Sequence, residues 1–253
     1  MRLSLLSLLL STFPLLLVWS RPSPSIFGPS SHPPLVPSIR PLDAAAPTNC
    51  TIGVDLATPV SKSAFECIIA ERGVQYLTVR AFQSNCYLDP HTVDTIHAAW
   101  AAGIQNVDIY FFPSYGCTMD GIMQFDLTMQ HLASHNASFN RIFFDVEDWE
   151  WEPESGCQKN VDWFTPLYQH AIDVLGSPRV GIYTTTSTWS RITCNSKAFI
   201  GSMLWYARWD KNPSFDGFLP FGSWDQPFEK QFTGNDGACD IHLDFDYRGS
   251  GVC

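Results

Sequence analysis

From Thr48 to Cys253 the chain repeats one pattern: a short apolar run that reads as a strand, then a longer stretch with helical spacing, then another apolar run. Strand-like runs fall at Cys50–Ala57, Gln75–Phe82, Asn106–Phe112, Arg141–Val146, Arg179–Thr184, Met203–Trp209, Glu229–Thr233 and Ile241–Tyr247. Helical stretches fall at Lys62–Glu71 (closed by Gly73), Pro90–Ala102 (closed by Gly103), Met123–Ser134 and Val161–Leu175. Strands separated by helices pair in parallel, and a domain of this size closes into one barrel more readily than it splits in two. The expected fold is α/β, an irregular (β/α) TIM-like barrel. Its helices are reduced in the C-terminal third, where the pattern turns to extra strands.

Upstream of this domain the sequence changes character. Arg2 precedes an apolar run from Leu3 to Val18, the layout of a secretory signal peptide, with cleavage expected near Ser20. The run is short for a bilayer span and is interrupted by Pro14. Residues 21–47 hold eight of the eighteen prolines and many serines, without strand or helix periodicity, and read as a linker or pro-segment. Residues 48–253 are then the catalytic barrel domain. Secretion, or delivery to a vacuole or lysosome, is the expected route.

All eight cysteines (50, 67, 86, 117, 157, 194, 239 and 253) follow the leader, an even number without CxxC spacing. That favours up to four disulfides over a zinc site. The pairing is not readable, and a Cys50–Cys253 bond tying the domain ends is one option among many. Asn49-Cys-Thr51 and Asn136-Ala-Ser138 are glycosylation sequons. The formal charge is −10, and losing Arg2 with the leader makes it −11. With no basic run, neither nucleic acid nor an anionic membrane surface is an expected partner. No cofactor is expected, and the seven histidines lack metal-ligand spacing.

The densest chemical signal is Phe143-Phe144-Asp145-Val146-Glu147-Asp148-Trp149-Glu150-Trp151-Glu152-Pro153-Glu154. Alternation puts Asp145 and Glu147 on one face at the end of an apolar strand, where a barrel opens its mouth. Two carboxyls held together ionise unequally, so one can donate a proton while the other stays charged, as glycosidic cleavage requires. Asp55 ends another apolar run and Asp244 lies in the last one. If the first and last strands adjoin, all four carboxylates meet at one rim. The later glutamates of the run read as a solvated loop.

Seven motifs in order carry a resemblance: Gly53-Val54-Asp55, Tyr76-Leu77-Thr78-Val79-Arg80, Ala99-Trp100-Ala101-Ala102-Gly103-Ile104, Phe143-Phe144-Asp145-Val146-Glu147, Val180-Gly181-Ile182-Tyr183-Thr184, Leu204-Trp205-Tyr206-Ala207-Arg208 and Lys230-Gln231-Phe232-Thr233. From Cys50 to Tyr247 the chain resembles glycoside hydrolase family 25, the Chalaropsis-type lysozymes, most of all their eukaryotic, nematode-like branch. The resemblance implies an N-acetylmuramidase acting as a monomer on peptidoglycan glycan strands. Glu147 would be the general acid/base, with Asp145 assisting the substrate's acetamido group and Asp55 and Asp244 completing the site. The late aspartate matches Asp244, with Asp240 as a rival. Tyr110, Tyr183, Trp205, Arg208 and Trp149 are the candidate substrate-binding residues, with Trp151 and Trp209 as further stacking surfaces.

The chain departs from the family where Trp-Gln-Tyr becomes Lys230-Gln231-Phe232; Trp224 is a candidate to compensate. Other readings of the same residues are a catalytically silent carbohydrate-binding barrel and a glycosidase acting on a chitin-like substrate. A metal-dependent hydrolase using the four carboxylates as oxygen ligands is a further option. The acidic surface predicts a mildly acidic optimum on an anionic wall.

Overall fold

The computed structural model describes residues 36–42, 50–147, 151–153 and 156–249. The leader, most of the Pro/Ser-rich segment, the Asn49 sequon, Trp149 and Cys253 lie outside these residues. Eight strands close into a barrel in sequence order: β1 Thr51–Leu56, β2 Tyr76–Phe82, β3 Asn106–Phe111, β4 Ile142–Asp145, β5 Val180–Thr184, β6 Met203–Ala207, β7 Glu229–Ala238 and β8 Ile241–Arg248. Five helices cover it: α1 Lys62–Arg72, α2 Thr92–Ala102, α3 Gly121–Ser134, α4 Cys157–Leu175 and α5 Thr186–Thr193. The expected α/β barrel with a depleted last third is therefore the observed fold.

Strands β1 to β7 run parallel, whereas β8 is antiparallel to both β7 and β1. The cause is local. β7 and β8 are joined by only Cys239 and Asp240, whose φ values of 52° and 61° are those of a tight hairpin turn, so no crossover is possible. Helix α5 has no counterpart in the apolar pattern, because Thr-Ser-Thr-Trp-Ser lacks strong helix formers. The Thr185 side chain starts it by accepting from the Thr188 N–H at 3.1 Å.

The strand alternation sorts side chains into two cores. Outward residues such as Val54, Val79, Phe111, Phe144, Ile182 and Leu204 pack against Phe65, Ile96, Phe125 and Phe164 of the helices. Inward residues form a second, smaller cluster of Phe143, Tyr183 and Trp205. Below that cluster the interior is ionic: Arg248 donates from Nε to Glu229 at 2.9 Å and from Nη2 to Asp108 at 2.7 Å, and lies 3.8 Å over the Tyr76 ring. Burial pushes the Glu229 carboxyl up to about 7 even beside this arginine. Gly53 leaves the space that Tyr76 fills, since a Cβ there would lie 2.1 Å from the ring.

Among the described residues, Cys67–Cys239 pins the β7–β8 turn to α1, Cys86–Cys117 joins the loops after β2 and β3, and Cys157–Cys194 ties the start of α4 to the end of α5. Cys50 is also disulfide-bonded. Residues 36–42 of the Pro/Ser-rich segment lie against the barrel instead of forming a free linker. Ile39 bridges Phe139, Arg40 stacks 4.0 Å over Trp100, and Arg179 donates to the Arg40 carbonyl at 2.7 Å. Asn136 of the second sequon is exposed in the turn after α3, whereas Ala137 and Ser138 are buried.

Candidate active site

At the mouth, a pocket of about 240 Å³ is lined by Asp55, Tyr110, Asp145, Glu147, Tyr183, Trp205, Trp209, Gln231, Asn235 and Asp244. Asp55 comes from the end of β1. It is directly opposite Asp244, which the reversal of β8 puts near that strand's start. Asp145 is the last residue of β4 and Glu147 lies two positions beyond it. They share a side because the chain stays extended past the strand: the Val146 N–H donates to the Tyr183 carbonyl at 2.9 Å, and its own carbonyl accepts from Thr184 Oγ1 at 2.9 Å.

Burial dominates the electrostatics. It raises the Asp145 carboxyl well above the usual range, and the Glu147 charge and then Asp55 push it further. Glu147 is also raised by burial, offset by a hydrogen bond from Asp145. Both carboxyls therefore keep protons to higher pH than ordinary carboxyls do, and they titrate as a pair. Asp145 Oδ1 is buried without a hydrogen-bond partner, a costly arrangement in a native interior. Asp55 is raised by burial and by the Asp244 charge; Asp244 is raised by burial against a 2.6 Å hydrogen bond from the Asn235 N–H. Tyr110 and Tyr183 are pushed well above 10, chiefly by burial and then by neighbouring carboxylates, so both remain hydroxyl donors.

Gln231 organises the wall. Its amide nitrogen donates to Asp55 at 2.7 Å and to Asp244 at 3.3 Å, while its oxygen accepts from Tyr183 at 3.0 Å and Trp209 at 2.8 Å. Below it, Trp205 donates its indole N–H to Asp246 at 2.9 Å. Sequence reasoning left Gln231, Asn235 and Asp246 without roles. Gln231 belongs to the Lys230-Gln231-Phe232-Thr233 run, where strand alternation puts it on the face opposite Lys230.

Other expected residues fall elsewhere. Arg208 lies outside the carboxylate pocket, in a neighbouring groove, because it follows the inward Ala207 and bonds Asp210 and the Gly217 carbonyl. Asp240 is in the hairpin turn, not in the pocket. Trp224 is buried against Trp189 and Phe221 and cannot replace the missing indole. Trp209, 59% exposed over the pocket, offers the open indole face instead. Trp205 lines the pocket but is buried, and Trp151 packs among Tyr115, Trp163 and Phe164. Lys230 points away from the mouth and holds the β6–β7 loop through Asp210 at 2.8 Å and the Asn212 and Ser214 carbonyls.

A barrel with paired carboxyls, protonated tyrosines and an open tryptophan at its mouth defines a glycoside hydrolase. A family model described as Lysozyme-like protein 1 matches residues 46–232. Probable GH family 25 lysozyme 4 of Dictyostelium discoideum is 30% identical over 199 residues, covering 79% of this chain and 91% of that protein. Lysozyme-like protein 5 of Caenorhabditis elegans is 26% identical over 198 residues, covering 77% and 90%. A family GH25 lysozyme from Aspergillus fumigatus shares the fold, with a TM-score of 0.62 at 19% identity over 80% of this chain and 95% of that one. The chain belongs to the glycoside hydrolase family 25 lysozymes, with eukaryotic relatives, and acts on a glycan.

Proposed function

We propose that the protein is a secreted N-acetylmuramidase that hydrolyses the β-1,4 bond between N-acetylmuramic acid and N-acetylglucosamine in peptidoglycan. The observation that carries this reading is the unpartnered, buried Asp145 Oδ1 beside Glu147, two carboxyls whose burial favours their protonated forms. An acetamido N–H from the sugar supplies the missing donor. Accepting it favours ionised Asp145, so the proton the pair retains sits on Glu147. Glu147 then protonates the glycosidic oxygen as the bond to the anomeric carbon breaks, and the acetamido oxygen attacks that carbon from the opposite face. A water activated by Glu147 opens the resulting ring. The acetamido oxygen bonds on the opposite face and the water then bonds on the original one, so two inversions retain the configuration.

Disulfides and the apolar leader support an oxidising compartment, either outside the cell or in a vacuole or lysosome. The test is reducing-end release from purified peptidoglycan by wild type and Glu147→Gln. Equal rates for the two proteins remove Glu147 from the mechanism. Binding without cleavage makes the barrel a silent carbohydrate-binding protein, and faster cleavage of chitin than of wall reassigns the substrate.

A further inference from the structure

Beside the mouth, on the β5–β6 shoulder, lies a second groove of about 520 Å³ whose lining includes Thr185, Thr186, Ser187, Tyr206, Arg208 and Leu219. Ala207 also lines it and packs against the interior cluster of Tyr183 and Trp205, so the groove begins where the active-site wall ends. Three donor sets line it. The first is the N-terminus of α5, which carries partial positive charge and where the Thr185 side chain caps the Thr188 N–H. The second is Arg208, which uses Nε on Asp210 at 3.2 Å and Nη1 on the Gly217 carbonyl at 2.7 Å, leaving its Nη2 edge open. The third is the Tyr206 hydroxyl, buried and without a partner.

The site is shaped for this guanidinium. Gly217 has φ 74°, and a Cβ there would lie 2.8 Å from Arg208 Nη1. Burial and the Asp210 charge push Tyr206 up to about 12, so it remains a donor. All three sets are hydrogen donors lining one groove, with Asp210 taking the Nε edge of Arg208, and the exposed Leu219 gives an apolar edge. The groove on the hairpin side has the opposite character, with Glu71, Asp236 and Asp240 against Arg72.

We infer that the β5–β6 groove receives the peptide stem of peptidoglycan, with a stem carboxylate held by Arg208, Tyr206 and the start of α5. This rests on the muramidase reading, because N-acetylmuramic acid carries an anionic peptide on its lactyl group and N-acetylglucosamine does not. The groove thus separates wall from chitin by charge, outside the pocket where the bond is cut.

The test compares intact sacculi with sacculi whose stems have been removed by an amidase, together with binding of free stem pentapeptide followed by NMR. Wild type is expected to show a kcat/KM about tenfold higher on intact sacculi, the size of one charge-assisted hydrogen-bond set. In Arg208→Ala that ratio falls towards one, chiefly through KM, and pentapeptide shifts at the groove disappear. Tyr206→Phe, which keeps the ring, lowers the ratio by a smaller factor. Equal wild-type rates on both substrates, or an Arg208→Ala loss of the same size on both, overturn the inference and leave the muramidase reading standing. Pentapeptide bound through Arg208 by a protein that cuts neither substrate upholds the groove and overturns the muramidase reading. Absence of both cleavage and pentapeptide binding overturns both.

Discussion

The Gln231 amide nitrogen lies 2.7 Å from the Asp55 carboxylate, tying β7 to β1 across the mouth although 176 positions separate them in the chain. The same amide meets Asp244 while its oxygen takes the Tyr183 and Trp209 donors, so its orientation is fixed by four partners. Gln231→Leu keeps the volume and removes all of them. It is expected to lower kcat/KM by about ten- to a hundredfold, taking the bond to Asp55, of about 1.5–3 kcal/mol for a charged partner, as the one that matters most among the four lost. Reducing-end kinetics measure it; an unchanged rate would show that the wall does not need this bracing.

Protonation of this pair makes activity pH-dependent. Both Asp145 and Glu147 are raised, so the one-proton form that the mechanism uses persists above the ordinary carboxyl range and is lost as pH rises through the raised values. At low pH the second proton goes on and blocks Asp145 as an acceptor. A bell-shaped profile with a mildly acidic maximum is expected, and Glu147→Gln should lower the maximum by about 10²- to 10⁴-fold. A maximum above about pH 8 contradicts the assignment, given unperturbed carboxyl values near 4.

Stability should follow the same sign. Asp55, Asp145 and Asp246 all have folded pKa values well above those of an unfolded chain. The folded state therefore binds more protons. Their contribution is complete below the unfolded values and is lost as pH climbs through the folded ones. Thermal melts should give a higher Tm at pH 5 than at pH 8, and Asp55→Asn should flatten that dependence. A Tm that rises across this range would refute it.

Gly53→Val tests the interior packing. Its side chain would enter the Tyr76 ring, itself held under Arg248, so relief requires moving a charged cluster. A loss of about 1–3 kcal/mol is expected in denaturant melts. A smaller loss would mean that the Tyr76 layer yields.

Much of this was legible from alternation alone. Asp145 and Glu147 betrayed themselves by following Ile142-Phe143-Phe144, and the convergence of Asp55 with Asp244 followed from closing a barrel. What stayed hidden depended on direction and contact. The reversal of β8 is set by a two-residue turn, and Lys230 looked like a lost sugar platform until its neighbour's inward face was known. Arg208 sat in the right motif, but one position past Ala207 carried it out of the pocket. The burial of Trp224 depends on partners from α5 and the preceding loop, which no local pattern encodes.

The reversed last strand also decides which way the barrel can face. Thr51 and Arg248 are paired neighbours at the end away from the mouth, so the chain enters and leaves the barrel at its back. Both flanking strand ends therefore lie opposite the rim where Asp55 and Asp244 face each other, and neither Thr51 nor Arg248 crowds the opening.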